Sequence, residues 1–366
     1  MPAPLLALAA VPVGIWLYLL VGRGGFWRIS KNLAPRNFRP APGPRVVAVI
    51  PARNEAAVIG EALASLRGQT LAIVVADDSS DDATGEIAKA AGAAVVRAPA
   101  RPPGWTGKLW ALSLGVEEAL KLDPDYLLLT DADIRHEPRN VASLVSLAEE
   151  RRLDLCSYMV RLCCDSQAEK ALIPAFVYFF FTLYPPACAT GAAGGCMLIR
   201  PRALAGIGGL HAIRGEIIDD CALAKAVKAR GGRIWLGLTT TAESIRSYGG
   251  FHGVSGMIAR NAFSQLRHST LLLAATTAGL LVTYVLPVYL LLFAKGWPRI
   301  LGGSAWLLMS ASYLPMVRFY KRSWLWSIAL PFIAMFYLKC TFQSAVAYWR
   351  GSGGEWKGRA QDRAAL

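Results

Sequence analysis

Carboxylates recur in this 366-residue chain in four short clusters, each set among residues that favour turns. They are Pro51-Ala52-Arg53-Asn54-Glu55, Asp77-Asp78-Ser79-Ser80-Asp81-Asp82-Ala83-Thr84, Thr130-Asp131-Ala132-Asp133 and Ile217-Ile218-Asp219-Asp220. Acids at a helix start often cap it and complement its dipole. One or two would suffice for that role at 77–84, where four stand. Carboxylates two apart on a bend, as Asp131 and Asp133 are, can both face one hard cation. Mg2+ or Mn2+ takes one or two carboxylates and completes its shell with phosphate oxygens and water. Asp219 and Asp220 open a helix, where they read either as caps or, for a carboxylate near a metal–phosphate site, as a general base on a hydroxyl. Lys108, in Gly104-Trp105-Thr106-Gly107-Lys108-Leu109, follows a Gly-rich turn at a helix start, a position suited to phosphate. The spacing is not a P-loop, which would need Gly at Pro102 and Ser or Thr at Leu109. Gly191-Ala192-Ala193-Gly194-Gly195-Cys196 either admits a ligand close to the backbone or serves packing.

The elements around these groups alternate. Val46–Ile50, Ile73–Ala76, Ala94–Val96 and Tyr126–Thr130 read as strands, and Glu55–Arg67, Thr84–Ala91, Lys108–Leu120, Val141–Glu150 and Cys221–Ala229 as helices. Short apolar strands alternating with helices predict an α/β fold with a parallel sheet covered on both faces. Each acidic pair is expected just after a strand, at the carboxyl edge where open α/β sheets bind ligands.

Composition adds a second environment. Hydrophobic residues make up 54% and charged residues 17%, too apolar for a soluble enzyme or a disordered chain. Of the net charge of +14, +11 lies between Ser244 and Leu366, where 13 Lys and Arg face only Glu355 and Asp362. Basic residues beside apolar runs read as anchors to an anionic membrane surface rather than a nucleic-acid face. Residues 1–22 form an expected N-terminal transmembrane anchor. The basic residues of the Pro-rich linker 23–44 follow it, which excludes a cleaved signal peptide and places the chain beyond it on the cytoplasmic side. A domain over 45–268 is followed by a membrane region, 269–349, and a basic tail, 350–366. Within that region Leu271–Ala294 and Ile300–Val317 are long enough to span. The run from Trp324 to Trp349, broken by Pro331 and Lys339, reads as a tilted span or a re-entrant or interfacial pair. Residues 171–188 are expected at the membrane interface, with a buried core helix as the alternative. Seven cysteines (156, 163, 164, 188, 196, 221 and 340) with no CxxC fit a reducing compartment and neither a zinc site nor a disulfide framework.

Taken in order, PARNE (51–55), DDSSDDAT (77–84), GKLWAL (107–112), DAD (131–133), GAAGGCMLIRPRAL (191–204) and IIDD (217–220) resemble the motif series of family 2 glycosyltransferases with the GT-A fold. The resemblance covers about Arg45 to Gly232. It implies an inverting, metal-dependent transfer from a nucleotide sugar, UDP-linked, with Mg2+ or Mn2+ as cofactor. Pro51, Asn54, Glu55, Asp77, Asp78, Lys108 and Asp131 would bind the donor, Glu55 and Asp78 at the nucleoside and Lys108 at the diphosphate. Asp133 with Asp131 would hold the metal, and Asp220, with Asp219 beside it, would be the catalytic base. Where lipid- or polymer-directed members carry Q-x-x-R-W, this chain has Met257-Ile258-Ala259-Arg260-Asn261, and only Arg260 is kept. Ser79 and Ala83 replace the usual glycines of the second motif. The N-terminal anchor, GWTGKLWAL, TDADIRHEP, the segment 259–266 and Trp-Lys-Gly-Arg (356–359) resemble the hopene-associated subgroup of bacteria. That implies a lipid acceptor of hopanoid type at the cytoplasmic face of the inner membrane. A polyprenyl phosphate, carotenoid or diacylglycerol acceptor, and a non-catalytic nucleotide-sugar-binding scaffold, are the alternatives.

Overall fold

The structure is a computed structural model that describes residues 3–35 and 43–354. Part of the expected linker (36–42) and most of the basic tail (355–366, with the Trp-Lys-Gly-Arg motif) lie outside the described residues. The chain divides into two compact units.

One unit comprises residues 32–163 and 189–246, with the short stretch after Arg350. Its sheet contains β1 (Val46–Ala52), β2 (Ala72–Asp77), β3 (Ala94–Arg97), β4 (Tyr126–Thr130), β5 (Ile134–His136), β6 (Leu155–Arg161), β7 (Cys196–Ile199) and β8 (Ile234–Ser244). The spatial order is β3-β2-β1-β4-β7-β6-β8-β5. β1 pairs in parallel with β2 and β4, and β2 with β3, as the alternating pattern predicts. The second half of the sheet, where no strand was expected, is mixed rather than parallel. There β7 runs antiparallel to both β4 and β6, and β5 antiparallel to β8, while β6 and β8 are parallel. The apolar residues of β1, β2 and β4 are buried on both faces, which is why they read as uninterrupted runs.

Two local expectations also change. Helix formation after β1 begins at Ile59, not Glu55. Asn54 takes φ +53°, and the Glu55 N–H donates to Thr84 Oγ1 at 2.8 Å, so this stretch is a turn braced from outside. Asp219 and Asp220 do open a helix, Asp219–Ala229, but no strand directly precedes it: a short 3-10 turn, Leu210–Ile213, and a loop come first.

The other unit gathers residues 1–31, 164–188 and 247–350. The helices at 167–183 and 251–265, expected within the catalytic domain, therefore pack among the apolar helices instead. Among the described residues, five helical segments are long and apolar enough to cross a membrane: Pro4–Val21, Gln167–Cys188, Thr270–Phe293, Trp297–Phe319 and Leu330–Trp349. The helix Gln167–Leu183 starts with a capping box, Ser166 and Glu169. Tyr178 and Phe181 are buried, Tyr178 Oη meets Ser312 Oγ at 2.7 Å, and Tyr337 Oη donates to the Leu172 carbonyl at 2.8 Å. These are the contacts of a packed helix. Arg23 donates from Nε and Nη2 to the last carbonyls of the same helix, those of Thr182 and Leu183. The run after Trp324 forms a short helix, Leu325–Ile328, and then one long helix, Leu330–Trp349, which Pro331 does not break because it falls in the first turn, where a missing N–H costs nothing.

Candidate active site

The sheet order explains how residues far apart in sequence meet. β2, β1 and β4 are neighbours and parallel, so Asp77, the 51–55 turn and Asp131 all emerge at the same carboxyl edge. β7 runs the other way, with Thr130 opposite Cys196, so the start of β7 and the glycine loop before it reach that edge too. β5 and β8 pair through Ile134 and Ser244, which brings the end of β8 to Asp133.

At one end of the site the first two clusters brace each other. The buried Arg53 guanidinium donates to the Asp78 and Ser79 carbonyls and lies 3.5 Å from Asp81 Oδ2. Asn54 Oδ1 accepts from the Asp81 N–H at 2.9 Å, and Asp82 Oδ2 from the Ala56 N–H at 3.1 Å. Asp77 Oδ1 holds the Ser80 N–H at 3.0 Å, and Asp78 is almost wholly buried. Ser79 takes φ +52°, a conformation in which glycine is unstrained. Asp82 accepts from the Thr84 N–H, the first of the helix that begins there, while the N-cap residue, Ala83, offers no capping side chain. Of the four acids only Asp82 meets the helix start, while Asp77 and Asp81 shape the loop.

At the other end, Lys108 lies in the first turn of the helix Gly107–Leu120, capped by Thr106. Its Nζ is 3.0 Å from Asp131 Oδ1 and 3.2 Å from Asp219 Oδ2. Burial opposes the ammonium charge, but Asp131, Asp219 and Asp220 outweigh it and hold Lys108 protonated. Asp220 accepts from the Gly194 N–H (2.8 Å, Oδ2) and the Cys221 N–H (2.7 Å, Oδ1). A Cβ on Gly194 would touch Asp220 Oδ2 and Lys108 Nζ, both at 3.4 Å, so the absence of a side chain keeps the space between them open. Burial and the neighbouring Asp219 push the Asp220 carboxyl up to about 6, against the pull of Lys108.

Asp133 accepts from Ser244 Oγ at 2.8 Å and pairs with Arg246 Nε at 3.4 Å, while Arg246 Nη2 pairs with Glu55. Behind the turn runs a buried chain of hydrogen bonds. Thr241 Oγ1 donates to Asn140 Oδ1, Asn140 Nδ2 reaches His136 Nδ1 at 2.9 Å, His136 Nε2 meets Thr130 Oγ1 at 3.1 Å, and Thr130 donates to the Gly195 carbonyl at 2.7 Å. Burial holds His136 neutral, with its pKa lowered to about 4. The network pins both ends of the 131–133 turn and the glycine loop. Of the residues named from sequence, Glu55, Lys108, Asp131, Asp133, Asp219 and Asp220 are joined by direct or one-residue links. Arg260 lies in the other unit, on the helix Phe251–Gln265, with its side chain exposed. Arg246, Arg53 and His136 are site residues that sequence reasoning missed.

Among the described residues no three His, Cys, Asp or Glu side chains cluster in a metal-holding arrangement. The donor set is instead two carboxylates on one turn, each facing a cationic side chain, which fits a hard divalent ion that borrows further oxygens from a bound diphosphate.

This is a GT-A-like mixed α/β fold. Residues 47–208 match the family model for Glycosyl transferase family 2. A mannosyltransferase from Pyrobaculum calidifontis, solved with GDP-Man and Mn2+, superposes with a TM-score of 0.51 at 17% identity, over 94% of this chain and 98% of that one. An uncharacterised protein of Methanocaldococcus jannaschii is 39% identical over 101 residues, 27% of this chain. A 4,4'-diaponeurosporenoate glycosyltransferase of Staphylococcus haemolyticus is 38% identical over 90 residues, 24% of this chain. The matched segments span 40% and 23% of the length of these two relatives.

Proposed function

We propose that the chain is a membrane-bound, inverting glycosyltransferase that moves a sugar from a nucleotide donor, UDP-linked, to the hydroxyl of a lipid of hopanoid type. The observation that carries this reading is Lys108, held 3.0 Å from Asp131 and 3.2 Å from Asp219 with Asp220 alongside. A cation for a diphosphate, a carboxylate for its metal and a candidate base converge within one residue's reach. Asp131 and Asp133 would hold Mg2+ or Mn2+, which supplies charge stabilisation to the leaving diphosphate. Lys108 would add its own positive charge there. Asp220, oriented by the Gly194 and Cys221 N–H groups, would take the proton of the attacking hydroxyl. The braced turns at 51–55 and 77–84 would seat the nucleoside. The apolar helices would keep the enzyme where a lipid acceptor is available, at the cytoplasmic face of the inner membrane.

The similarity to the 4,4'-diaponeurosporenoate glycosyltransferase favours a second acceptor, a carotenoid carboxylate. Titrating UDP and GDP calorimetrically into detergent-purified protein, with EDTA or Mn2+, tests the donor half. UDP binding is expected only with the metal, and is expected to vanish in Asp133→Ala. Binding of GDP instead would move the donor to the nucleotide seen with the archaeal mannosyltransferase. Absence of binding by either nucleotide would leave a non-catalytic scaffold as the better reading. Lipid products from radiolabelled donor, with hopanoid or carotenoid acceptors, separate the two acceptor readings.

A further inference from the structure

Arg246 stands at the end of β8, where nothing in the motif series places a residue. Its guanidinium lies between two carboxylates from distant parts of the chain, Nη2 on Glu55 and Nε 3.4 Å from Asp133 Oδ2. Its backbone is fixed by the β5–β8 pairing and by the Ile245 N–H, which donates to the Asp133 carbonyl at 2.9 Å. Glu55 and Asp133 are largely buried, at 10% and 16% exposed, whereas Arg246 keeps 34%. Two such carboxylates repel each other and are costly to desolvate unless a cation sits with them. Burial opposes the Arg246 charge, but Glu55 and Asp133 more than compensate.

We propose that Arg246 is a positioning residue that stands in for the divalent cation at Asp133 while the donor site is empty, and that the same fork keeps Glu55 in place for the nucleoside. The inference rests on the metal role proposed above for Asp133. A guanidinium and a divalent ion at one carboxylate compete for the same negative charge and repel each other across a few ångströms. In a partly exposed site that repulsion is worth on the order of tenfold in affinity. By reciprocity, whatever Arg246 takes from metal affinity the metal takes from the Arg246–Asp133 pair. The device leaves no uncompensated charge between turnovers, and it makes metal retention depend on a diphosphate that supplies further ligands.

The test titrates Mn2+ into full-length protein in detergent without nucleotide, reading free Mn2+ by its paramagnetic resonance signal. Removing the charge, in Arg246→Met and Arg246→Gln, is expected to tighten Mn2+ binding by about tenfold. Arg246→Lys keeps the charge and is expected to stay close to wild type. The neutral variants should also melt at lower temperature without metal and recover part of the difference when Mn2+ is added. A residue with a merely structural role would lower metal affinity or leave it unmoved. Unchanged or weaker Mn2+ binding in whichever neutral variants fold, alongside normal metal-dependent UDP binding by wild type, overturns the inference and leaves the donor reading standing. Failure of wild type to bind Mn2+ with UDP overturns both.

Discussion

Asp220 combines two features needed by a general base: fixed orientation through two backbone N–H donors, and a proton affinity raised by burial and by Asp219. Asp220→Asn keeps the shape of the side chain and removes its basicity. Turnover is expected to fall by about 10²- to 10⁴-fold with UDP affinity nearly unchanged, as single-turnover kinetics and calorimetry would show. In the role proposed for it Asp220 would act unprotonated, so kcat/KM is expected to fall as pH drops through about 6, close to tenfold per pH unit below it. A flat acid limb in the wild-type pH profile would remove Asp220 from that role. Residue types and spacing were enough to mark Asp131, Asp133, Asp219, Asp220 and Lys108 as candidates. Arg246 was not legible in that way, because its meaning comes from two carboxylates 191 and 113 positions away rather than from its neighbours in sequence.

The turn that carries Asp131 and Asp133 is rigid because Thr130, His136, Asn140 and Thr241 form one buried chain. A His lowered to about 4 in the folded protein and near 6.5 when unfolded binds its proton first in the unfolded state. Its stabilising contribution is therefore complete above 6.5, is lost as pH falls from there towards 4, and is gone below that. Between pH 7 and pH 5 the cost is about 2 kcal/mol. Thermal melts at the two pH values are expected to show it, and His136→Gln, which does not titrate there, should flatten the dependence. β1, β2, β4 and their helices were readable from period and composition, since buried parallel strands flanked by helices leave a continuous apolar signal. β5, β6, β7 and β8 were not. Their identity as strands depends on partners distant in the chain: β7 is four residues set between β4 and β6, and β5 is three residues completed only by the end of β8.

Within the helical unit two side-chain features set how the apolar helices approach each other. The span from Thr270 to Phe293 is interrupted by a π-helical stretch, Leu281–Val285, just before Pro287. Proline has no N–H to give the carbonyl four residues back, that of Thr283, and Trp16 Nε1 of the N-terminal helix donates to it at 3.1 Å. Trp16→Phe is expected to lower the stability of the detergent-solubilised protein by about 1 kcal/mol, read as a lower melting temperature. Gly302 lets the helix Trp297–Phe319 approach this span closely, since a Cβ there would lie 2.7 Å from the Pro287 carbonyl oxygen and 2.6 Å from Leu290 Cβ. Gly302→Leu is expected to cost about 1–3 kcal/mol in the same measurement, the range for overpacking a close-packed interface. The sequence by itself determined the two environments, an α/β domain with an acidic edge and a set of apolar helices rich in basic flanks, because both are consequences of local composition and period. Tertiary structure decided which segments belong to which unit, the reversed direction of β7, and the meeting of Arg246 with Glu55 and Asp133. Those depend on pairing between residues far apart along the chain, and strand pairing and charge complementarity act through space, where neither period nor spacing leaves a mark.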